Sequence, residues 1–225
     1  MHIRPLTKND SAAFCVLSQG NATRFRNAGL ARLPNNDGEF LRWLPASLSL
    51  ALEPATHDYK VIYGIFTHES DSGVIGAERL AGFVGVETVS RFHGVGVWYG
   101  LDRKFQGTGM AKTGVLAAMA DFASQVESLG LFTAKRWVIH VLKKNILSTR
   151  LAASIGFERE EVLDYTRSLS TRGGQRFDGF SLVRTGASIK AEADARIQAI
   201  AMKATMKSSS LPHSIKTESA RRLRA

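Results

Sequence analysis

One cysteine in 225 residues excludes an internal disulfide, so Cys15 can form no part of a covalent scaffold. Prolines number five, too few for a proline-rich linker or recognition tract. No apolar run approaches the roughly 20 residues that a membrane helix requires. The opening MHIRPLTKND carries charge where an export signal needs an apolar core. These absences lead us to expect a cytoplasmic chain with no membrane partner. Two nucleotide-binding signatures are also missing. No Gly-x-x-x-x-Gly-Lys-[Ser/Thr] run occurs, and Lys112 stands where a dinucleotide fingerprint begun by Gly107 and Gly109 needs its third glycine. Neither a P-loop nor a Rossmann-type site is expected, and no metal site is assigned.

What is present suits one main folding unit with a polar appendage. Hydrophobic residues make up 44% of the chain and charged residues 22%, ordinary values for a globular domain of this length. The net charge of +10 is unevenly placed: residues 186–225 hold eight basic and three acidic side chains, half of the total. The closing SSSLPHSIKTESARRLRA lacks apolar periodicity. We therefore expect a domain over 1–185 and a basic extension over 186–225, with a candidate helix at 187–206 followed by a disordered tail. An acidic or nucleic-acid partner would suit that tail, and the oligomeric state is open.

Along the domain, HIRPLTKND predicts a short strand and turn, and SAAFCVLSQG a helix closed by Gly20. Residues 37–52 predict more helix, interrupted around Pro45. YKVIYGIFTHE, LAGFVGVETVS and HGVGVWYGL are rich in β-branched and aromatic residues and predict an antiparallel meander. Val115, Leu116, Met119, Phe122 and Val126 then recur at helical spacing. AKRWVIHVL reads as a strand buried on both faces. NILSTRLAASIGF reads as a short helix with Leu147, Leu151 and Ile155 on one side. FEREEVLDYTRS and FDGFSLVR close the domain as two antiparallel strands. The order strand, glycine loop, helix, strand requires residues 134–142 to lie parallel to residues 92–101.

That loop, DRKFQGTGM, carries the chemistry. A glycine turn between strand and helix leaves the first helical N–H groups unpaired, and the helix dipole adds positive potential there. Such a site suits phosphate. Gly107 and Gly109 let a bulky ligand approach the main chain of Gln106 to Ala111, with Arg103, Lys104 and Lys112 nearby.

KFQGTG between a strand and a helix, followed by NILSTRLAASIGF with Asn145, Ser148, Gly156 and Phe157, resembles the GNAT acetyltransferase superfamily. IRPLTKND and FDGFSLVR are similar to the terminal strands of its ribosomal-protein N-terminal acetyltransferases, so the likeness runs over residues 2–185. The family's loop motif begins with Arg or Gln, and Lys104 stands in that place.

The resemblance implies an α+β fold: a central, mostly antiparallel twisted sheet, one parallel strand pair splayed around a CoA cleft, and helices on both faces. It implies acetyl-CoA as co-substrate. Tyr99 and Leu101 would bind the pantetheine arm through their backbone, Lys104, Gln106, Gly107, Thr108, Gly109, Met110 and Ala111 would hold the pyrophosphate, and Asn145 would touch the pantetheine. Ser148 would be the general acid for the leaving thiolate.

The general base is open. Glu87 and His93 are the nearest candidates. A weak base suffices for an α-amine of pKa about 8, far better than for a lysine near 10.4. The acceptor loops would be about 21–40 and 168–177, whose Arg24, Arg26, Arg32, Arg172 and Arg176 form a basic rim. Two readings stand: an N-acetyltransferase acting on a protein α-amine or a small-molecule amine, and a binding module of the same fold that engages nucleic acid or ribosome through its tail.

Deleting residues 187–225 should leave a folded domain that retains acetyl-CoA turnover on a small amine, while affinity for an anionic partner falls and loses much of its salt dependence. Melting, sizing and titrations at two salt concentrations check this. A large drop in melting temperature or a change in size would make the 187–206 segment structural.

Overall fold

The computed structural model describes residues 1–30, 33–44, 59–68, 78–89, 94–131, 134–159, 169–170, 176–177 and 179–185, with Ala195, Gln198 and Ala199. The described elements are β1 (His2–Pro5), α1 (Ser11–Gly20), α2 (Ala22–Asn27), α3 (Asp37–Trp43), β2 (Lys60–His68), β3 (Glu78–Val89), β4 (Gly94–Leu101), α4 (Met110–Ser128), β5 (Arg136–Leu142), α5 (Ile146–Ser154), β6 (Glu158–Arg159), β7 (Leu169–Ser170), β8 (Arg176–Phe177) and β9 (Gly179–Thr185). Seven strands form one sheet in the order β1-β2-β3-β4-β5-β9-β6, and β7 and β8 form a separate pair. All neighbours in the large sheet are antiparallel except β4 and β5, which are parallel. The expected mixed fold and parallel pair are both present.

Strand alternation sorts the core into two layers. Tyr63, Val84, Val86, Val95 and Val97 point one way and pack with Val115, Leu116, Met119 and Phe122 of α4 and Ala152 and Ile155 of α5. Ile62, Phe66 and Phe83 point the other way and pack with Phe14 and Leu17 of α1, Phe25 of α2 and Phe40 of α3. Helices thus cover both faces, and the periodic residues read in α4 are its buried stripe.

Close approach depends on glycine at several places, of which Gly114 and Gly85 shape the two layers. A Cβ on Gly114 would come 2.5 Å from Ile65 Cδ1, so the glycine lets α4 lie low on β2. A Cβ on Gly85 would come 2.0 Å from the Trp98 ring, so the indole lies flat against β3 there.

Several readings shift. The predicted loop at 21–40 contains α2 and the start of α3. The helix predicted over 37–52 is α3 up to Trp43, and its remainder from residue 45 lies outside the described residues. The two closing strands do pair antiparallel, and β9 has a second partner in β5. β6 joins β9 at Glu158 with Val183 and Arg159 with Leu182, β9 itself lies between β6 and β5, and residues 160–168 are outside the described set. The face predicted for α5 is rotated: Ile155 is buried, Leu151 is partly buried and Leu147 is 65% exposed. The first turn of α5 faces solvent, with Ile146 59% and Leu147 65% exposed. Of the 187–206 segment, Ala195, Gln198 and Ala199 are helical, and the rest with the tail is outside the described residues. Among the described residues no helix is long and apolar enough to cross a membrane.

The edge strand β1 is held by a half-buried ion pair. Arg4 donates Nη1 and Nη2 to the two carboxylate oxygens of Asp10 at 2.8 Å each, and its guanidinium lies 4.0 Å from the centre of the Phe66 ring. Burial alone would raise the Asp10 carboxyl, but Arg4 and the Thr7 amide and hydroxyl together hold it below its usual range. A depressed native value means stability that is present above the unfolded value of about 3.9 and lost as pH falls through the native one. Asp10→Asn should therefore melt earlier than the wild type at neutral pH, with the gap closing below about pH 4. Thermal melts of both proteins across this range check it, and a pH-independent gap would contradict it.

Candidate active site

The opening in the sheet follows from hydrogen-bond bookkeeping on β4. The amide of Asp102 donates to Ala81 O at 2.8 Å, on the β3 side. By alternation, Leu101, Tyr99 and Val97 turn their backbone groups to the opposite edge. That edge meets β5 only at Val95 with Trp137 and at Gly96 with Val138. Beyond these two pairs the strands part. Tyr99 and Leu101 present backbone donors and acceptors to a gap, where an extended ligand bearing amides can continue the ladder.

The glycine loop lies at the end of the same strand. Asp102 caps a 3-10 turn at Arg103–Phe105 by accepting from Lys104 N at 3.1 Å, and it is fixed in turn by Arg79 Nη2 at 3.1 Å. The Arg103 amide reaches Asn21 Oδ1 at 3.4 Å, and Asn21 Nδ2 donates to Leu17 O at 3.1 Å, which ties the turn to α1. Thr108 Oγ1 donates to Phe105 O at 2.6 Å. Gly107 and Gly109 take φ of +78° and +83°, left-handed values that L side chains rarely adopt. A Cβ at either would meet nothing within 4 Å, so the space before the loop is open. The amides of Gly107, Thr108, Gly109 and Ala111 make no hydrogen bond to another described residue, and that of Met110 has only Thr108 Oγ1 at 3.4 Å. This open row of donors at the start of the 19-residue α4 can receive an anion. Gln106, Lys104 and Arg103 are exposed beside it. Lys112, expected to add charge here, instead sends its Nζ to Ser154 O at the far end of α5.

α5 is fixed at both ends. Asn145 caps it, its Oδ1 accepting from Ser148 N at 3.2 Å. At the C-terminus Lys112 holds Ser154 O, and the buried Arg184 of β9 donates to Ile155 O at 2.5 Å. Cations suit the negative end of the helix dipole. This framework places Ser148 opposite β4: the Tyr99 hydroxyl lies 2.7 Å from Ser148 Oγ and 3.2 Å from Ser148 O. Burial pushes the Tyr99 hydroxyl up to about 12, tempered by the hydrogen bond with Ser148.

The structure brings the predicted loop residues, Tyr99, Leu101, Asn145 and Ser148 to one end of the sheet. It separates Glu87 from them. Glu87 shares the face of Trp98, and its carboxylate lies 3.7 Å from Lys60 Nζ. Tyr99 points to the other face. His93, Arg32 and Arg172 lie outside the described residues, and Arg24 and Arg26 lie on α2. Among the described residues no cluster of groups could hold a metal. Sequence reasoning missed the Tyr99 side chain, Asn21 and Arg184 as contributors, because each acts through a contact between distant segments.

Residues 1–158 match the family model described as the acetyltransferase (GNAT) domain. No curated protein matches the chain. Three solved structures illustrate the likeness in fold. Ribosomal-protein-S5-alanine acetyltransferase from Vibrio fischeri is 18% identical, with a TM-score of 0.58 over 81% of this chain and 91% of its own. Mycobacterium smegmatis RimJ in complex with CoA-disulfide is 15% identical, with a TM-score of 0.61 over 88% of each chain. Spermidine N-acetyltransferase from Vibrio cholerae, in complex with CoA and spermine, is 14% identical, with a TM-score of 0.57 over 82% of this chain and 94% of its own.

Gly109→Val should weaken CoA binding by about tenfold or more, because it forces a β-branched residue to a positive φ and fills the open space. Calorimetry checks it, with circular dichroism to establish folding. Unchanged affinity in a folded variant would mean that the loop does not hold the ligand.

Proposed function

Because the chain belongs to the GNAT acetyltransferase family, we propose that it moves the acetyl group of acetyl-CoA to a primary amine, a protein α-amine or a small-molecule amine, by direct attack. The observation that carries the proposal is the parting of β4 from β5 beside an open row of amides at the start of α4. Neighbours of the same fold include enzymes described as acting on ribosomal proteins and on spermidine, and two of those above were solved with CoA or its disulfide.

In this reading the amides of Gly107 to Ala111, with the side chains of Gln106 and Lys104 beside them, hold the pyrophosphate. The backbone of Tyr99 and Leu101 pairs with the pantetheine amides, and Asn145, half-exposed at the mouth, touches the same arm. The β4 amides that face the gap polarise the thioester carbonyl as oxyanion-type donors. Ser148 donates a proton to the departing sulfur. With Glu87 turned to the opposite face and paired with Lys60, that candidate base is removed from the site, which favours an acceptor of low pKa such as an α-amine, about a tenth neutral at pH 7.

Assay of CoA release with a panel of peptides and small amines tests the assignment. Turnover on α-amines above that on lysine side chains is expected, and no turnover on any amine would overturn it. Ser148→Ala should lower kcat more than it changes KM for acetyl-CoA, since the proton is needed only in the transition state. A change confined to KM would make Ser148 a binding residue.

A further inference from the structure

The Tyr99 backbone faces the gap between β4 and β5, but its side chain crosses beneath that gap to α5. We infer that the Tyr99 hydroxyl positions Ser148 and resupplies its proton during acetyl transfer. The inference rests on the function proposed above and adds a residue that acts through Ser148.

Three observations carry it. The hydroxyl of Tyr99 is 2.7 Å from Ser148 Oγ, and it is the partner of that oxygen among the described residues. Ser148 sits on the first turn of α5, where Asn145 Oδ1 accepts from its amide at 3.2 Å and fixes its main chain opposite β4. The tyrosine ring packs against the buried layer under α4, which carries its hydroxyl to Ser148.

A hydroxyl offers one donor and two acceptor sites. When Tyr99 donates to Ser148 Oγ, the serine proton is turned outward, towards the gap. When Tyr99 donates to Ser148 O at 3.2 Å instead, Ser148 must point back at Tyr99 and has nothing to give. The first arrangement is the productive one. In the transfer, Ser148 gives its proton to sulfur as the carbon–sulfur bond breaks, and takes the Tyr99 proton in the same movement. Water reprotonates the phenolate, and the proton lost by the amine goes to water. Amine and thioester become amide and thiol with both hydroxyls restored. A phenol is intrinsically more acidic than an aliphatic alcohol, so the pair delivers a proton more readily than serine alone.

Kinetics on Tyr99→Phe, Ser148→Ala and the double variant test this, together with a chain carrying 2,3-difluorotyrosine at position 99. Tyr99→Phe should lower kcat by about tenfold, with KM for acetyl-CoA nearly unchanged. The double variant should be no slower than Ser148→Ala, because both side chains serve one proton path. Fluorination preserves shape and acidifies the phenol, so the alkaline limb of kcat should move to lower pH; this readout stands even if Tyr99→Phe misfolds. Multiplying effects in the double variant, an unimpaired Tyr99→Phe, or an unmoved alkaline limb would overturn the relay alone. A wild type without turnover would overturn the proposed function and the relay together.

Discussion

Two residue pairs hold β4 to β5, and the rest of the molecule depends on what happens after the second. In the middle of a sheet a strand normally has partners on both edges, because an unpaired backbone group away from water costs about as much as a lost hydrogen bond. Here β3 satisfies one edge of β4 along all eight of its residues. The other edge is released after Gly96. A sheet can tolerate such a fault only if the layers on either side remain rigid, and both do. The stripe of α4 closes one face and the aromatic cluster of Phe14, Phe40, Trp43 and Phe83 closes the other, with ring centres 4.7 to 6.4 Å apart. The fault is thus built in as a slot whose walls are already paid for by the core.

The helix after β5 completes the slot, and its anchoring explains why a polar first turn can be held so definitely. α5 is nine residues long and buries little apolar surface of its own. Its position comes from its termini, where a side-chain cap at one end and two cations from different elements at the other satisfy carbonyls that would otherwise need water. One of those cations belongs to α4, directly downstream of the glycine loop. The loop that offers amides and the helix that offers a hydroxyl are therefore linked through Lys112, so the two halves of the site share one mechanical frame.

The fold was legible where the sequence has strong periodicity. The apolar spacing of α4 and the β-branched runs of β2 to β4 each have one energetically sensible arrangement, and a strand-loop-helix-strand order dictates a parallel pair. Legibility failed where burial is decided by distant segments. The 3.6-residue pattern of α5 fits Leu147, Leu151 and Ile155 equally well, but no local pattern announces that the first turn faces solvent. The site divides in the same way. Gly107, Gly109, Asn145 and Ser148 sit in local motifs that can be read directly. Tyr99 was legible for its backbone, whereas the reach of its side chain to a residue 49 positions away is a property of the folded chain. Lys112 looked like a phosphate ligand by proximity in sequence, and its four-carbon stem carries the charge elsewhere.

The strand order also fixes when the slot can exist during synthesis. β5, one wall of the opening, takes its full-length partner from β9, seven residue pairs formed by a segment almost forty residues further along the chain. Until residue 185 has emerged, β5 is an edge strand held by two pairs on one side, and β6 has nothing to join. A nascent chain ending before β9 carries β4, the glycine loop and the first turn of α5 and still lacks the brace that holds the slot's far wall upright. Assembly therefore waits on a non-local pairing, the slow kind of step in folding, and a ribosome that pauses short of it exposes a hydrophobic strand edge of the sort that recruits chaperones or neighbouring chains.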